Sequence, residues 1–233
     1  MKSTETYMRE LRAWLAETEN TPLEEMDAFF TRRLDGYEAH MLAHWADDYK
    51  NLADALPPGA KRILDLGCGT GLELDEIFRR FPEMQVVGVD LSPAMLEKLR
   101  EKHAGRALEL ICGSYFTVEF PGPFDAVVSF ESLHHFTAAE KVPLFRKIHK
   151  ALAPGGVFLN GDYFARCPEE EALLRETLER RRAAAHIPPD VFIHFDTPLT
   201  VAHEMQALRD AGFPDVRVAA ETEGAVVLCA QKA

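Results

Sequence analysis

Positive charge is in short supply in this chain. Lys and Arg number 26 against 38 Asp and Glu, a formal net charge of −12. A broad nucleic-acid surface needs clustered cations, so this balance argues against an RNA or DNA partner and leaves room only for a local basic groove. No apolar run approaches the roughly 18 residues that a membrane span requires. Residues 1–20 are charged and hold no apolar segment of signal-peptide length. Cysteine is scarce as well. Cys68, Cys112, Cys167 and Cys229 are scattered, with no CxxC pair, so they read as reduced thiols of a cytoplasmic protein and not as a disulfide framework or a zinc site. Internal repeats and low-complexity segments are missing too. The 233 residues suffice for one sizeable core with a helical appendage.

What is present is periodicity of two kinds. Residues 1–56 read as helical, with apolar residues at three- and four-residue spacing over Tyr7–Ala16, Leu23–Leu34 and Tyr37–Leu56. Thr21-Pro22 followed by Glu24 and Glu25 predicts a helix start, and Pro57-Pro58-Gly59 ends the region. From Arg62, apolar strands at 62–66, 85–89, 108–112, 124–130 and 157–160 alternate with helices at 72–81, 94–103 and 138–151. That alternation predicts an α/β fold, a mostly parallel sheet with helices on both faces. After Asp162 come an arginine-rich helix at 169–185, a loop-like segment at 186–198 and a helix at 201–211. A closing hairpin, 216–220 and 225–230, implies one antiparallel strand. The predicted organisation is an N-terminal helical extension, 1–56, and a domain, 57–233, carrying a helical insertion at about 163–212.

Between the first strand and its helix, Gly67, Gly69 and Gly71 stand on alternate positions. This predicts a tight loop at a nucleotide-type crevice. The spacing departs from the G-x-G-x-x-G of dinucleotide sites, and Asp65 precedes the loop. A pyrophosphate would meet that carboxylate unfavourably, whereas a ligand carrying an ammonium and a sulfonium suits it. Asp90 ends the next strand, where a carboxylate can accept both hydroxyls of a ribose. The plain structural alternatives are a tight turn for the glycines and a cap or turn role for Asp90.

Four segments together carry a resemblance: Asp65-Leu66-Gly67-Cys68-Gly69-Thr70-Gly71, Val89-Asp90-Leu91-Ser92-Pro93-Ala94-Met95, Phe124-Asp125-Ala126-Val127-Val128-Ser129 and Leu152-Ala153-Pro154-Gly155-Gly156. In order and spacing they resemble the class I S-adenosylmethionine-dependent methyltransferases of the small-molecule type. The resemblance covers about residues 60–162 and the terminal hairpin. It implies a Rossmann-like seven-stranded sheet with an antiparallel last strand, and S-adenosyl-L-methionine as cofactor. Asp65 and the Gly67 backbone would hold the methionine end, within the loop of Cys68, Gly69 and Gly71. Asp90 would bind the ribose, and Leu91 and Met95 would pack on the adenine. Ser114, where many members carry Asp, would face the adenine with an uncharged hydroxyl, and Tyr115 and Phe130 would adjoin the cofactor. The N-terminal helices would cover the site, with Tyr37 near the sulfonium, although core packing is an equal reading for Tyr37.

Methyl transfer from a sulfonium is mainly a matter of aligning acceptor and methyl in a dry pocket. A base is needed only if the acceptor must lose a proton. The strand at 124–130 should deliver Phe130, Glu131, His134 and His135 to the sheet's carboxyl edge, which makes His135 and His134 the candidate bases; the bland reading is that they pack the loop. His40, Asp162, His186, His194 and Asp196 are spaced too irregularly for a compact ligand motif, so no metal is expected. His194-Phe195-Asp196 reads as a polar wall of the acceptor pocket or a surface turn. Arg175 and the run Arg180-Arg181-Arg182 read as a solvated helix face, with an anionic substrate as the rival. The expected partner is a small-molecule methyl acceptor, and a homodimer is left open. The rival functions are an enzyme that alters the cofactor's sulfonium without methylating an acceptor, a cofactor-binding protein without turnover, and a nicotinamide-dependent dehydrogenase.

Overall fold

The computed structural model describes residues 3–233; residues 1 and 2 of the predicted extension lie outside the described part. The elements in order are α1 (Thr4–Glu17), α2 (Met26–Arg33), α3 (Tyr37–Asp54), β1 (Arg62–Leu66), α4 (Leu72–Arg80), β2 (Gln85–Asp90), α5 (Pro93–Lys102), β3 (Leu108–Cys112), β4 (Phe124–Phe130), α6 (Ala138–Ala151), β5 (Leu152–Asp162), α7 (Pro168–Ala184), α8 (Val201–Asp210), β6 (Asp215–Glu221) and β7 (Val226–Gln231). A single 3₁₀ turn, Leu133–His135, links β4 to α6. The seven strands form one sheet in the order β3-β2-β1-β4-β5-β7-β6. Neighbours from β3 through to β5 are parallel, and β7 runs antiparallel between β5 and β6. Among the described residues no helix is long and apolar enough to cross a membrane.

Local chemistry explains the element bounds. Ser92 caps α5, its Oγ accepting the Met95 amide, and Pro93 occupies the first turn, where a missing N–H costs nothing. Thr137 and Glu140 close a capping box on α6. Two expectations are corrected. The helix read from Leu23 begins only at Met26, because the preceding backbone pairs elsewhere: Glu25 bridges Ile193, and the His194 amide donates to the Glu24 carbonyl. The strand read at 157–160 begins at Leu152, and Pro154-Gly155-Gly156 forms a bulge against β4 instead of a break before the strand.

Alternation along each strand divides the core in two. Ile63, Ala126, Val128 and Leu159 pack under α3, α4 and α5 with Leu52, Ile77 and Leu99. Leu64, Leu66, Val127 and Phe158 pack on the opposite face with Phe145 and Ile148 of α6 and Leu208 of α8. A smaller cluster lies apart from the sheet, where Leu15 of α1 meets Leu174 of α7, Ile193 and Phe195. Beneath β5, Lys141 and Glu204 form an ion pair at 2.7 Å with almost no exposure, and Asn160 Nδ2 donates to the same glutamate at 3.2 Å. Replacing one partner strands the other charge, so Lys141→Met should lower the unfolding free energy in urea by about 3–5 kcal/mol. The double change Lys141→Met/Glu204→Leu should recover most of that loss; equal stability of single mutant and wild type would show the pair to be idle.

Candidate active site

The strand order reverses between β1 and β4, and ligand crevices of open α/β sheets form there, at the carboxyl ends of the strands. The loop after β1 presses against the loop after β4. Gly67 has φ +74°, and a Cβ on it would lie 2.1 Å from Ser132 Oγ, so only glycine fits. Asp90, at the end of β2, anchors the same loop. Its Oδ2 accepts the Gly69 amide at 2.9 Å and its Oδ1 accepts the Ser92 amide at 2.8 Å. Each carboxylate oxygen keeps a second lone pair, and the group lines a cleft with about 590 Å³ of empty space.

The cleft brings together Tyr37, Gly67, Gly69, Asp90, Leu91, Met95, Tyr115, Phe130 and His135 of the expected set. Others stand behind it. Cys68 is buried against Gly88, Gly71 starts α4 in the left-handed region, and Ser114 Oγ accepts the Phe116 amide at 3.3 Å. Asp65 lies fully buried under the loop on the α3–α4 side, where no amide, hydroxyl or cation among the described residues donates to it and its carboxyl meets that of Glu73. Burial, followed by the charge of neighbouring Glu73, pushes its pKa well up. Met26, Asp27, Phe30, Ser132 and Phe192 also line the cleft and had escaped the sequence reading. The four-residue step from Met26 to Phe30 was visible as helix periodicity, whereas Phe192 sits in an aperiodic segment. No Lys or Arg lines the cleft among the described residues. Glu131 does, with φ +47° and a buried Oε1 that has no partner. A non-glycine residue held in that region is a strain that the surrounding packing must support.

Behind the cleft, residues far apart in sequence converge. His134 Nδ1 meets Asp162 Oδ1 at 2.7 Å, and its Nε2 lies 3.5 Å from Asp196 Oδ1. Burial disfavours the imidazolium, but the Asp162 carboxylate outweighs it, and the His134 pKa rises to about 9. His134 is therefore a cation bridging two acids. His135 Nδ1 faces Asp196 at 3.3 Å and the Phe195 carbonyl at 3.3 Å. Two acceptors there place the proton on Nδ1 and the lone pair on Nε2. Burial and then the His134 charge lower the His135 pKa, so this ring is neutral near pH 7. Nitrogens of His134 and His135 and an oxygen of Asp196 lie within 4.8 Å of one another. The irregular spacing that spoke against a cluster is thus overridden by the fold, although His40 and His186 are not part of it.

A second cavity, with about 1050 Å³ of empty space, opens on the other side of this cluster. Tyr7, Leu11 and Trp14 of α1, Leu174 and Arg181 of α7, and Tyr163, His194 and Asp196 form its walls. The partition from the cleft is aromatic: Phe29 stacks on His194 with centroids 3.4 Å apart, and the His135 ring lies 5.0 Å from His194. Burial lowers the His194 pKa to about 4. The arrangement offers a cleft lined by acids, a neutral imidazole at the partition and a roomier chamber beyond.

The methyltransferase domain family matches residues 63–156. An uncharacterised methyltransferase of Geobacillus kaustophilus is 30% identical over 155 residues, 66% of this chain and 69% of that protein. Carboxy-S-adenosyl-L-methionine synthase of Trichodesmium erythraeum is 30% identical over 173 residues, 65% of each chain. An O-methyltransferase family protein from Burkholderia thailandensis shares the fold with a TM-score of 0.70 at 19% identity, over 98% of this chain and 70% of that one. The chain spans about two thirds of the length of these relatives.

The bridging histidine makes stability depend on pH. With a folded pKa of about 9, above the ordinary 6.5, the native state holds the extra proton. The stabilisation is complete below pH 6.5 and is lost as pH rises through about 9. The shift corresponds to about 3 kcal/mol, so the stability advantage of wild type over His134→Gln should shrink by that order between about pH 6 and about pH 10. A pH-independent difference in urea unfolding would sink the assignment.

Proposed function

The chain belongs to the class I S-adenosylmethionine-dependent methyltransferases, and we propose that it moves the methyl group of S-adenosylmethionine to a small-molecule acceptor whose body occupies the second cavity and whose nucleophile reaches the cleft beside His135. The observation that carries the reading is Asp65, a carboxyl buried beneath the glycine loop against that of Glu73, with no cation among the described residues facing it. A phosphate placed on that loop would meet an acidic pair that burial already holds toward the protonated form. An amino-acid ammonium supplies the missing counter-charge. When bound, the cofactor supplies an electrophilic methyl on a sulfonium that leaves as a neutral thioether.

The remaining work belongs to this chain's residues. The free lone pairs of Asp90 accept the ribose hydroxyls, and Leu91 and Met95 cover the adenine. Tyr37 closes the cleft from α3; burial and then the nearby acids raise its pKa, so it stays a neutral phenol. Residues 3–56 and the insertion at about 163–212 form the cover that excludes water. His135, neutral and with Nε2 open, takes the acceptor's proton where the acceptor has one to lose, and Asp196 keeps the ring in the needed tautomer. The setting proposed is the cytoplasm, in keeping with four free cysteines.

The carboxy-S-adenosyl-L-methionine synthase relative raises the rival that the sulfonium substituent itself is remodelled. A carboxylated substituent would carry an anion into a cleft lined by Asp27, Asp90 and Glu131 and by no described Lys or Arg. That electrostatic mismatch favours methyl transfer.

Two measurements test the reading. Asp90→Ala should weaken S-adenosylhomocysteine binding by about 1.5–3 kcal/mol in calorimetry, the worth of hydrogen bonds to a charged group; undiminished affinity would remove Asp90 from the site. With an acceptor in hand, kcat/KM should fall on an acid limb below pH 6.5, because burial lowers the His135 pKa and protonation removes the base. His135→Gln should lower the rate about 10²–10⁴-fold and erase that limb; retention of the limb would assign it elsewhere.

A further inference from the structure

Arg180, Arg181 and Arg182 follow one another on α7 and end in different surroundings. Arg180 is exposed and ion-paired with Glu19. Arg182 donates to the carbonyls of Pro188, Pro189 and Val191 and so ties down the segment that leads to Ile193. Arg181 points inward. It is only 9% exposed and lines the second cavity. Its guanidinium donates to the Thr21 carbonyl and lies 5.5 Å from the centroid of the Phe195 ring. The expectation of a solvated face therefore holds for Arg180 and fails for Arg181.

No ion pair forms at Arg181 among the described residues, because the acids around it are engaged. Glu19 pairs with Arg180, Glu24 with Arg32 and Arg33, and Asp196 faces His134 and His135. Glu170 accepts the Tyr7 hydroxyl at 2.5 Å and the Arg166 amide at 2.7 Å. A guanidinium has five N–H donors and cannot shed its charge. Buried with one neutral carbonyl and one ring face, it is a cation with no carboxylate in contact, the charge of Glu19 reaching it only from beside Arg180. The cavity walls beside it are aromatic, with Phe29, Phe195, Tyr7 and Trp14 all lining the chamber.

We propose that the acceptor is an aromatic acid whose carboxylate pairs with Arg181. The planar fork of the guanidinium matches one carboxylate in bidentate fashion. A phosphate dianion fits less well, since Glu24 and Glu170 also face the chamber and Arg181 is its one cation free of a carboxylate among the described residues. The ring of the acid lies between the aromatic walls. Its nucleophilic substituent points toward His194 and Asp196, which stand between the chamber and His135 of the cleft. The direction of that substituent rests on the methyltransferase reading, whereas recognition of the carboxylate rests on Arg181 alone.

The test is calorimetry on the whole chain, with and without saturating S-adenosylhomocysteine. The probes are 4-hydroxybenzoate, 4-hydroxyphenylacetate and 4-hydroxycinnamate, each beside its primary amide. At least one acid should bind about tenfold or more tightly than its amide, as for a charge-assisted pair. Arg181→Gln should level acid and amide, and Arg181→Lys, which keeps the charge but loses the fork, should restore part of the preference. Failure of every acid to bind, equal binding of acid and amide by wild type, or an unchanged preference in the glutamine variant each overturns the proposal. If the glutamine variant does not fold, the wild-type ratio and the lysine variant decide. Failure of S-adenosylhomocysteine to bind would instead overturn the methyltransferase reading, and acid binding to the unloaded protein would still report on Arg181.

Discussion

Two backbone amides, those of Gly69 and Ser92, converge on the single carboxylate of Asp90. This contact joins the loop after β1 to the loop after β2 and sets the floor of the cleft. Gly67 has to approach Ser132 closely for the same loop to close against β4. Everything else in the site is placed relative to this frame: Asp65 beneath it, Tyr37 above it, and Glu131 and His135 at its far rim. Because the amides occupy only one lone pair on each oxygen, the carboxylate that holds the loop also remains able to hold a ligand.

The frame was legible in the sequence because it is local. Glycines on alternate positions, a carboxylate at each strand end and Ser-Pro at a helix start are signals contained within a few residues, and strands β1, β3 and β4 appear with the bounds that their apolar runs predict. The misreadings arise where distant backbone intervenes. Leu23 to Glu25 carry helical periodicity, yet the backbone of Glu24, Glu25 and Met26 pairs with residues 192–194. Pro154-Gly155-Gly156 looks like an end and is a bulge. The histidine–carboxylate cluster unites residues 134 and 135 with 162 and 196, and no spacing rule connects them. Arg181 is hidden for a different reason. A run of arginines has no pattern that says which one turns inward, and only the packing of α1 on α7 decides it.

Charge is divided between the two chambers. The cleft gathers carboxylates and no lysine or arginine among its described lining, while the second cavity holds a buried guanidinium. The imidazoles of His135 and His194 lie between, both kept neutral near pH 7 by burial. A cationic donor would be drawn to the cleft, and a carboxylate in the second chamber would find one cation without a carboxylate among the described residues, Arg181, beside Glu24, Glu170 and Asp196.

The cluster of Leu15, Leu174, Ile193 and Phe195 shares no member with either core of the sheet. Leu174 and Phe195 of this cluster line the second cavity, whereas the glycine loop and Asp90 stand on the sheet itself. Substitutions in α1 or α7 can therefore reshape one chamber without passing strain into the strands that hold the other. In a lineage of such proteins, the grip on the common donor would be inherited as a unit, and the range of acceptors would be free to drift.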